Sequence, residues 1–121
     1  MSLDAAARRR YARQLLLGEI GDAGQERLLD AGFVVGAGAD AGARAVAIDY
    51  LGRAGCAERD GGRELNVPDS REVMQVAGAS FLRGPAASLV GAFCAVEHLK
   101  ATLGLADARA FPPDLQLHTE G

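Results

Sequence analysis

The sequence predicts an α/β fold with a helical N-terminus, one short, small sheet and a long buried helix towards the C-terminal end. Three observations carry that prediction. Gly32-Phe33-Val34-Val35-Gly36 is a short apolar run that passes directly into the glycine-rich stretch Gly36-Ala37-Gly38-Ala39-Asp40-Ala41, as a buried strand feeding a turn would. The residues after the turn place Ala43, Val46, Ala47, Tyr50 and Leu51 on one face at helical spacing. Residues 85–104 form a run whose first half is apolar nearly all round, the pattern of a helix buried from several sides.

The remaining elements follow in order. Asp4 suits the N-cap of a first helix over residues 5–17, with Tyr11 and Leu15 on its apolar stripe. Gly18 and Gly21 interrupt it, and the spacing of Asp22 and Gln25 starts a short second helix ending near Asp30. After the strand, the helix over residues 39–54 stops at Gly55, a residue suited to the left-handed position just past a helix end. Residues 56–69 are polar, with Gly61-Gly62 as a turn and residues 63–67 as a short edge strand. Asp69 and Glu72 again have capping-box spacing, and residues 73–77 fit either a short helix or a strand. Pro85 opens the long helix. Its large stripe is Leu89, Phe93, Val96, Leu99 and Leu103, its small residues Gly84, Ser88, Gly91 and Ala95 lie on another side, and Glu97 can pair with Lys100. Phe111-Pro112-Pro113 turns the chain, and residues 115–118 suit a terminal strand.

A chain of 121 residues supports one domain, spanning residues 1–121. With 5% aromatics and no Trp, the core is built mainly from Ala, Leu and Val, and pairing with a second copy is one way to bury more surface. The net charge of −3 argues against nucleic-acid binding, and the run Arg8-Arg9-Arg10 with Arg13 reads as a solvated helix face. Residues 1–10 lack the apolar segment of a signal peptide. The longest uncharged apolar stretch, residues 84–96, is too short for a bilayer of about 30 Å. Cys56 and Cys94 have no CxxC or zinc spacing and read as reduced, partly buried thiols of a cytoplasmic protein. No metal-ligand set and no catalytic triad can be argued from spacing. His98 falls off the large apolar stripe and reads as a solvated or interface residue.

The glycine stretch fits G-x-G-x-x-G/A between a strand and a helix. In that pattern glycine permits a tight turn and lets a phosphate approach helix N–H groups. Gly36, Gly38 and Ala41 are therefore candidate nucleotide-binding residues, and the competing reading is a turn that binds nothing. Asp40 bears on the choice, because a carboxylate at a helix N-terminus is itself stabilised there and can fill the anion position internally. The acid expected about 20 residues on to hold a ribose has Glu58 and Asp60 near the right distance, both in a polar stretch that reads more simply as a surface loop.

Beyond single motifs, an ordered set of segments resembles the E1-like adenylating domain of the ThiF/MoeB/HesA family. Arg10-Tyr11-Ala12-Arg13-Gln14 resembles its R-Y-x-R-Q opening, and Gly21, Gly24, Gln25 and Leu28 match the G-x-x-G-Q-x-x-L that follows. Val34-Val35-Gly36-Ala37-Gly38 is similar to its strand and turn, and Leu51-Gly52-Arg53-Ala54-Gly55 to the end of its first helix. Pro85, Gly91, Ala95, Glu97 and Lys100 match its late A-P-x-x-G-x-x-G-x-x-A-x-E-x-x-K stretch, with Ser88 in place of one glycine. The matches cover a little over half of the chain.

The resemblance implies a minimal Rossmann-like, ThiF-type domain. Members of the family adenylate the C-terminal glycine of a ubiquitin-like sulfur carrier using ATP and magnesium, usually as homodimers. On that basis Arg13 would reach ATP phosphates in the site of the other subunit, and Gly36 and Gly38 would lie beside ATP or AMP. Leu89, Gly91, Phe93 and Ala95 would belong to the dimer interface. The departures are large. The family's D-x-D ribose segment, its N-L-x-R-Q phosphate segment, its magnesium aspartate segment, its catalytic-cysteine segment and both zinc CxxC pairs have no counterpart. Adenylyl transfer depends on positioned cations and metal, so the pattern implies a degenerate E1-like protein, non-catalytic and dimeric, that binds or regulates a partner. The partner would be a sulfur carrier or a full-length E1-like enzyme. Two alternatives stay open: an active component completed by another chain, and an unrelated small nucleotide-binding α/β protein.

Overall fold

The computed structural model describes residues 21–118 apart from 106 and 113. The helix expected over residues 5–17, with Asp4, the arginine run and Arg13, lies outside the described residues. The described chain is a mixed α/β structure of four α-helices and a two-stranded parallel sheet. In order these are α1 (Gly21–Ala31), β1 (Phe33–Val35), α2 (Ala41–Ala54), β2 (Arg63–Leu65), α3 (Ser70–Ala77), a 3-10 turn (Ser80–Leu82) and α4 (Arg83–Thr102).

β1, α2 and β2 form one βαβ unit. Phe33 pairs with Arg63, Val34 with Glu64 and Val35 with Leu65. A parallel pair requires a crossover connection, and α2 supplies it. One edge of the sheet is closed by the chain itself: the Phe33 N–H donates to the Ala57 carbonyl (3.1 Å) and the Arg59 N–H to the Phe33 carbonyl (2.9 Å). β2 forms the other edge, as the sequence predicts.

Local chemistry sets the helix ends. Asp40 caps α2, so the helix begins at Ala41 and not at residue 39, and Gly55 ends it in a left-handed conformation. Asp69 and Glu72 form a complete capping box, which makes residues 70–77 a helix and resolves the helix-or-strand alternative. Arg59 donates to the carbonyls of Leu29 and Asp30 at 3.0 and 2.9 Å, satisfying the open C-terminal end of α1.

The packing of α2 on α4 uses the small face of α4. On α4 the buried residues are Ala86, Ala87, Val90, Gly91, Cys94, Ala95, Glu97 and His98, whereas Leu89 and Val96 are exposed and Phe93 is half-buried against Phe111. On α2 the buried stripe is Ala43, Ala47, Leu51 and Ala54, and Tyr50 is exposed. The small faces meet because they let two backbones approach closely. A side chain on Gly91 would run into the Ala43 carbonyl and Val46. Gly91 and Ala95, expected at a dimer interface, are thus buried against α2 of their own chain. No strand forms at residues 115–118; instead the Leu117 N–H donates to the Val76 carbonyl at the end of α3 (2.7 Å). Among the described residues no single helix is long and apolar enough to cross a membrane.

This packing predicts opposite outcomes for two glycines. Gly91→Val should destabilise the fold by about 1–3 kcal/mol, as overpacking a tight core does. Gly52→Ala, on the same pair of helices but with open space around it, should stabilise by about 0.5–1 kcal/mol through helix propensity. Urea denaturation of both variants checks the pair.

Candidate functional site

β1 ends at Val35, and the chain must turn before α2. Gly38 makes the turn with φ at 88°, a conformation that costs glycine little. The space around it is open. Gly36 lies beside the Glu64 carboxylate, and Ala41 is exposed at the first position of α2. The turn therefore gathers Gly36, Gly38 and Ala41, while Arg13 is outside the described residues.

The N-terminus of α2 is where a phosphate would sit, and Asp40 is already there. Its side chain is 5% exposed. Oδ2 accepts the Ala43 N–H (2.9 Å), and Oδ1 accepts the Ser70 hydroxyl (2.7 Å) and an Arg83 guanidinium N–H (3.3 Å). The Asp40 N–H donates to the Pro68 carbonyl (2.8 Å). Burial pushes the carboxyl's pKa up, but the bonds from Ala43 and Ser70 and the charge of Arg83 outweigh it and hold it below its ordinary value. An ionised carboxylate thus sits in the anion position. Beside it lies an opening of about 320 Å3 lined by Asp40, Ser70, Arg83 and Gly84, among others. Asp40 was recognisable from sequence. Its partners were not, because Ser70 and Arg83 are 30 and 43 positions away and no local pattern marks them.

The ribose candidates separate. Glu58 pairs with Arg44 (3.0 Å) in a half-exposed ion pair, and Asp60 is exposed in the turn before β2. The acid that reaches the glycine turn is Glu64. Its signal in the sequence is its place in the expected edge strand, and counting a fixed distance from the turn passed over it.

A second cluster lies under the sheet. His98 is buried, not solvated: Phe33 meets its ring edge-on at 5.9 Å and Cys56 Sγ lies 3.9 Å from Nε2. Burial, then the nearby Arg63 charge, lower its pKa against a hydrogen bond to the Gly32 backbone. Burial raises the Cys56 thiol and pushes Cys94 up to about 11. Neither thiol is a thiolate at neutral pH, so neither is an activated nucleophile. Glu97 accepts from Lys100 Nζ (2.8 Å) and the Arg109 N–H (2.9 Å), and the Lys100 bond leads in holding its carboxyl below the usual range. Among the described residues no cluster of three or more His, Cys, Asp or Glu side chains could hold a metal ion.

A cavity of about 480 Å3 opens along β2, with Arg63 through Pro68 on one side and Glu97, His98, Arg109 and Phe111 across from them. It is larger than the opening beside Asp40, and none of Gly36, Gly38 and Ala41 lines it.

No protein-family model, curated protein or solved structure gives a significant match to this chain.

Two pH dependences follow from these groups. His98 has a folded pKa below its ordinary 6.5, so the unfolded chain binds the proton first and stability falls as pH drops below 6.5. Urea midpoints between pH 8 and 5 should decline in the wild type and flatten in His98→Gln. Asp40 has a folded pKa below 3.8, so its contribution is complete above that value and is lost as pH falls through the folded pKa. Asp40→Ala should lower stability at pH 7 by at least the ~0.5–2 kcal/mol of a lost N-cap, and the deficit should shrink in acid.

Proposed function

We propose that the chain is a degenerate E1-like protein of the ThiF/MoeB type, a non-catalytic binding or regulatory remnant that works as a homodimer. The observation that carries the reading is Asp40. A minimal Rossmann-like unit built for nucleotides leaves the N-terminus of its first crossover helix free for phosphate. Here a buried carboxylate takes that position, and Arg83, the cation nearest to it, is engaged with it. The missing phosphate, magnesium and cysteine segments point the same way. The dimer surface consistent with the packing is the exposed side of α4, carrying Leu89 and Val96 at 40% and 46% exposure beside half-buried Phe93.

A second reading, an adenylating component completed by another chain, is favoured by the open space at Gly38 and by Glu64 beside Gly36. Binding and assembly separate the two. The first reading expects no heat of binding with ATP or AMP at millimolar concentration, no ATP–pyrophosphate exchange with a sulfur-carrier protein, and a dimer by light scattering that Leu89→Glu or Val96→Glu converts to monomer. Saturable ATP binding lost in Gly38→Asp would replace it with the second, and a wild-type monomer would remove the dimer from either.

A further inference from the structure

We propose that the open edge of β2 is a peptide-binding site that takes an acidic, extended segment of a partner protein as a third strand. The argument begins with the ladder. The Gly36 N–H donates to the Leu65 carbonyl (3.4 Å), which fixes the alternation: Arg63 and Leu65 turn their main-chain groups to β1, and Glu64 and Asn66 turn theirs away. Among the described residues the Glu64 N–H and C=O and the Asn66 N–H carry no hydrogen bond, and the Asn66 carbonyl meets only the weak Cys94 thiol at 3.7 Å. Such an edge is a template for another strand. The opposite edge is already covered by residues 57–59, so among the described residues one edge is left for pairing.

The space beside that edge has the form of a strand site. Six consecutive residues, Arg63 to Pro68, line one side of the 480 Å3 cavity, and residues 108–111 stand across it. A groove bounded by a strand edge and a second chain segment accepts an extended peptide, whose main chain supplies affinity and whose alternate side chains enter pockets. Leu65, Val67, Pro68 and Phe111 offer apolar surface for those side chains.

Charge selects the occupant. The Glu97 carboxylate is committed to Lys100 and the Arg109 N–H, and Glu72 to the capping box of α3. Glu64 points to Gly36. The guanidiniums of Arg63 and Arg109 have no hydrogen bond or ion pair among the described residues, and both line the cavity. Arg63 acts on His98 and Arg109 on Glu97, which puts both cations on the cavity side. Acidic side chains of an incoming segment can pair with these two cations. Access to this groove requires neither a nucleotide at the glycine turn nor a dimer through α4.

The test is fluorescence anisotropy of the full chain with three labelled hexapeptides: alternating Glu and Val, the same peptide N-methylated at alternate amides, and alternating Lys and Val. The proposal expects saturable binding of the first, a loss of tenfold or more for the second and third, and a similar loss with Arg63→Glu. If Arg63→Glu fails to fold, the peptide comparison on wild type decides alone. Equal binding of the N-methylated peptide, equal binding of the lysine peptide, or no binding at millimolar peptide each overturns the proposal. Full displacement by free glutamate at equal concentration overturns it in favour of a small carboxylate site. Affinity that falls as protein concentration rises assigns the edge to a second copy and overturns it as well.

Discussion

A single buried carboxylate organises this fold. α2, α3 and α4 begin at Ala41, Ser70 and Arg83, and a group at or next to each of these starts reaches Asp40: the Ala43 N–H, the Ser70 hydroxyl and the Arg83 guanidinium. One N–H of α2 and one side chain each from the first residues of α3 and α4 thus converge on one negative side chain. Its backbone N–H then ties the turn after β1 to Pro68 after β2. A lone buried charge is costly, and a fully bonded one fixes geometry. Asp40 thereby brings the first turns of α2 and α4 together, and the close pairing of their small faces follows from that start.

That pairing accounts for the composition of the core. Ala supplies nearly half of the buried hydrophobic positions, and Ala buries little area per residue. The larger side chains fall into two groups. Leu28, Phe33, Leu51, Val73 and Val90 fill the space between sheet and helices. Others, such as Leu89, Val96, Phe81 and Tyr50, remain at the surface. A fold that spends small residues inside and keeps large ones outside has apolar area left for association.

Legibility in the sequence followed the range of each interaction. The capping box at Asp69 and Glu72, the stop at Gly55, the strand into the glycine turn and the Glu97–Lys100 pair are set within a few residues, and local spacing reveals them. The buried face of α4 is not set that way. Periodicity shows that a large stripe and a small stripe exist, and only the identity of the neighbouring helix decides which is inside. Gly91 and Ala95, which the family resemblance assigns to a dimer interface, lie against α2 instead, and His98, read as a solvated or interface residue, is enclosed by Phe33 and Cys56. The candidate site divides similarly: Asp40 announced itself as an acid in a glycine turn, whereas Ser70, Arg83 and Glu64 became its neighbours only through folding.

The attachment of α1 differs in kind from everything else in the molecule. Leu28 is a large, fully buried anchor of this helix, and arginine-to-carbonyl bonds also fasten it, Arg59 onto Leu29 and Asp30 and Arg27 onto Leu103. Both guanidiniums are exposed, so water competes for each bond. A segment fastened in part by solvent-accessible bonds opens at lower free energy than the core. In native-state hydrogen exchange, α1 amides would then trade protons ahead of those in α2 and α4, as a separate cooperative unit.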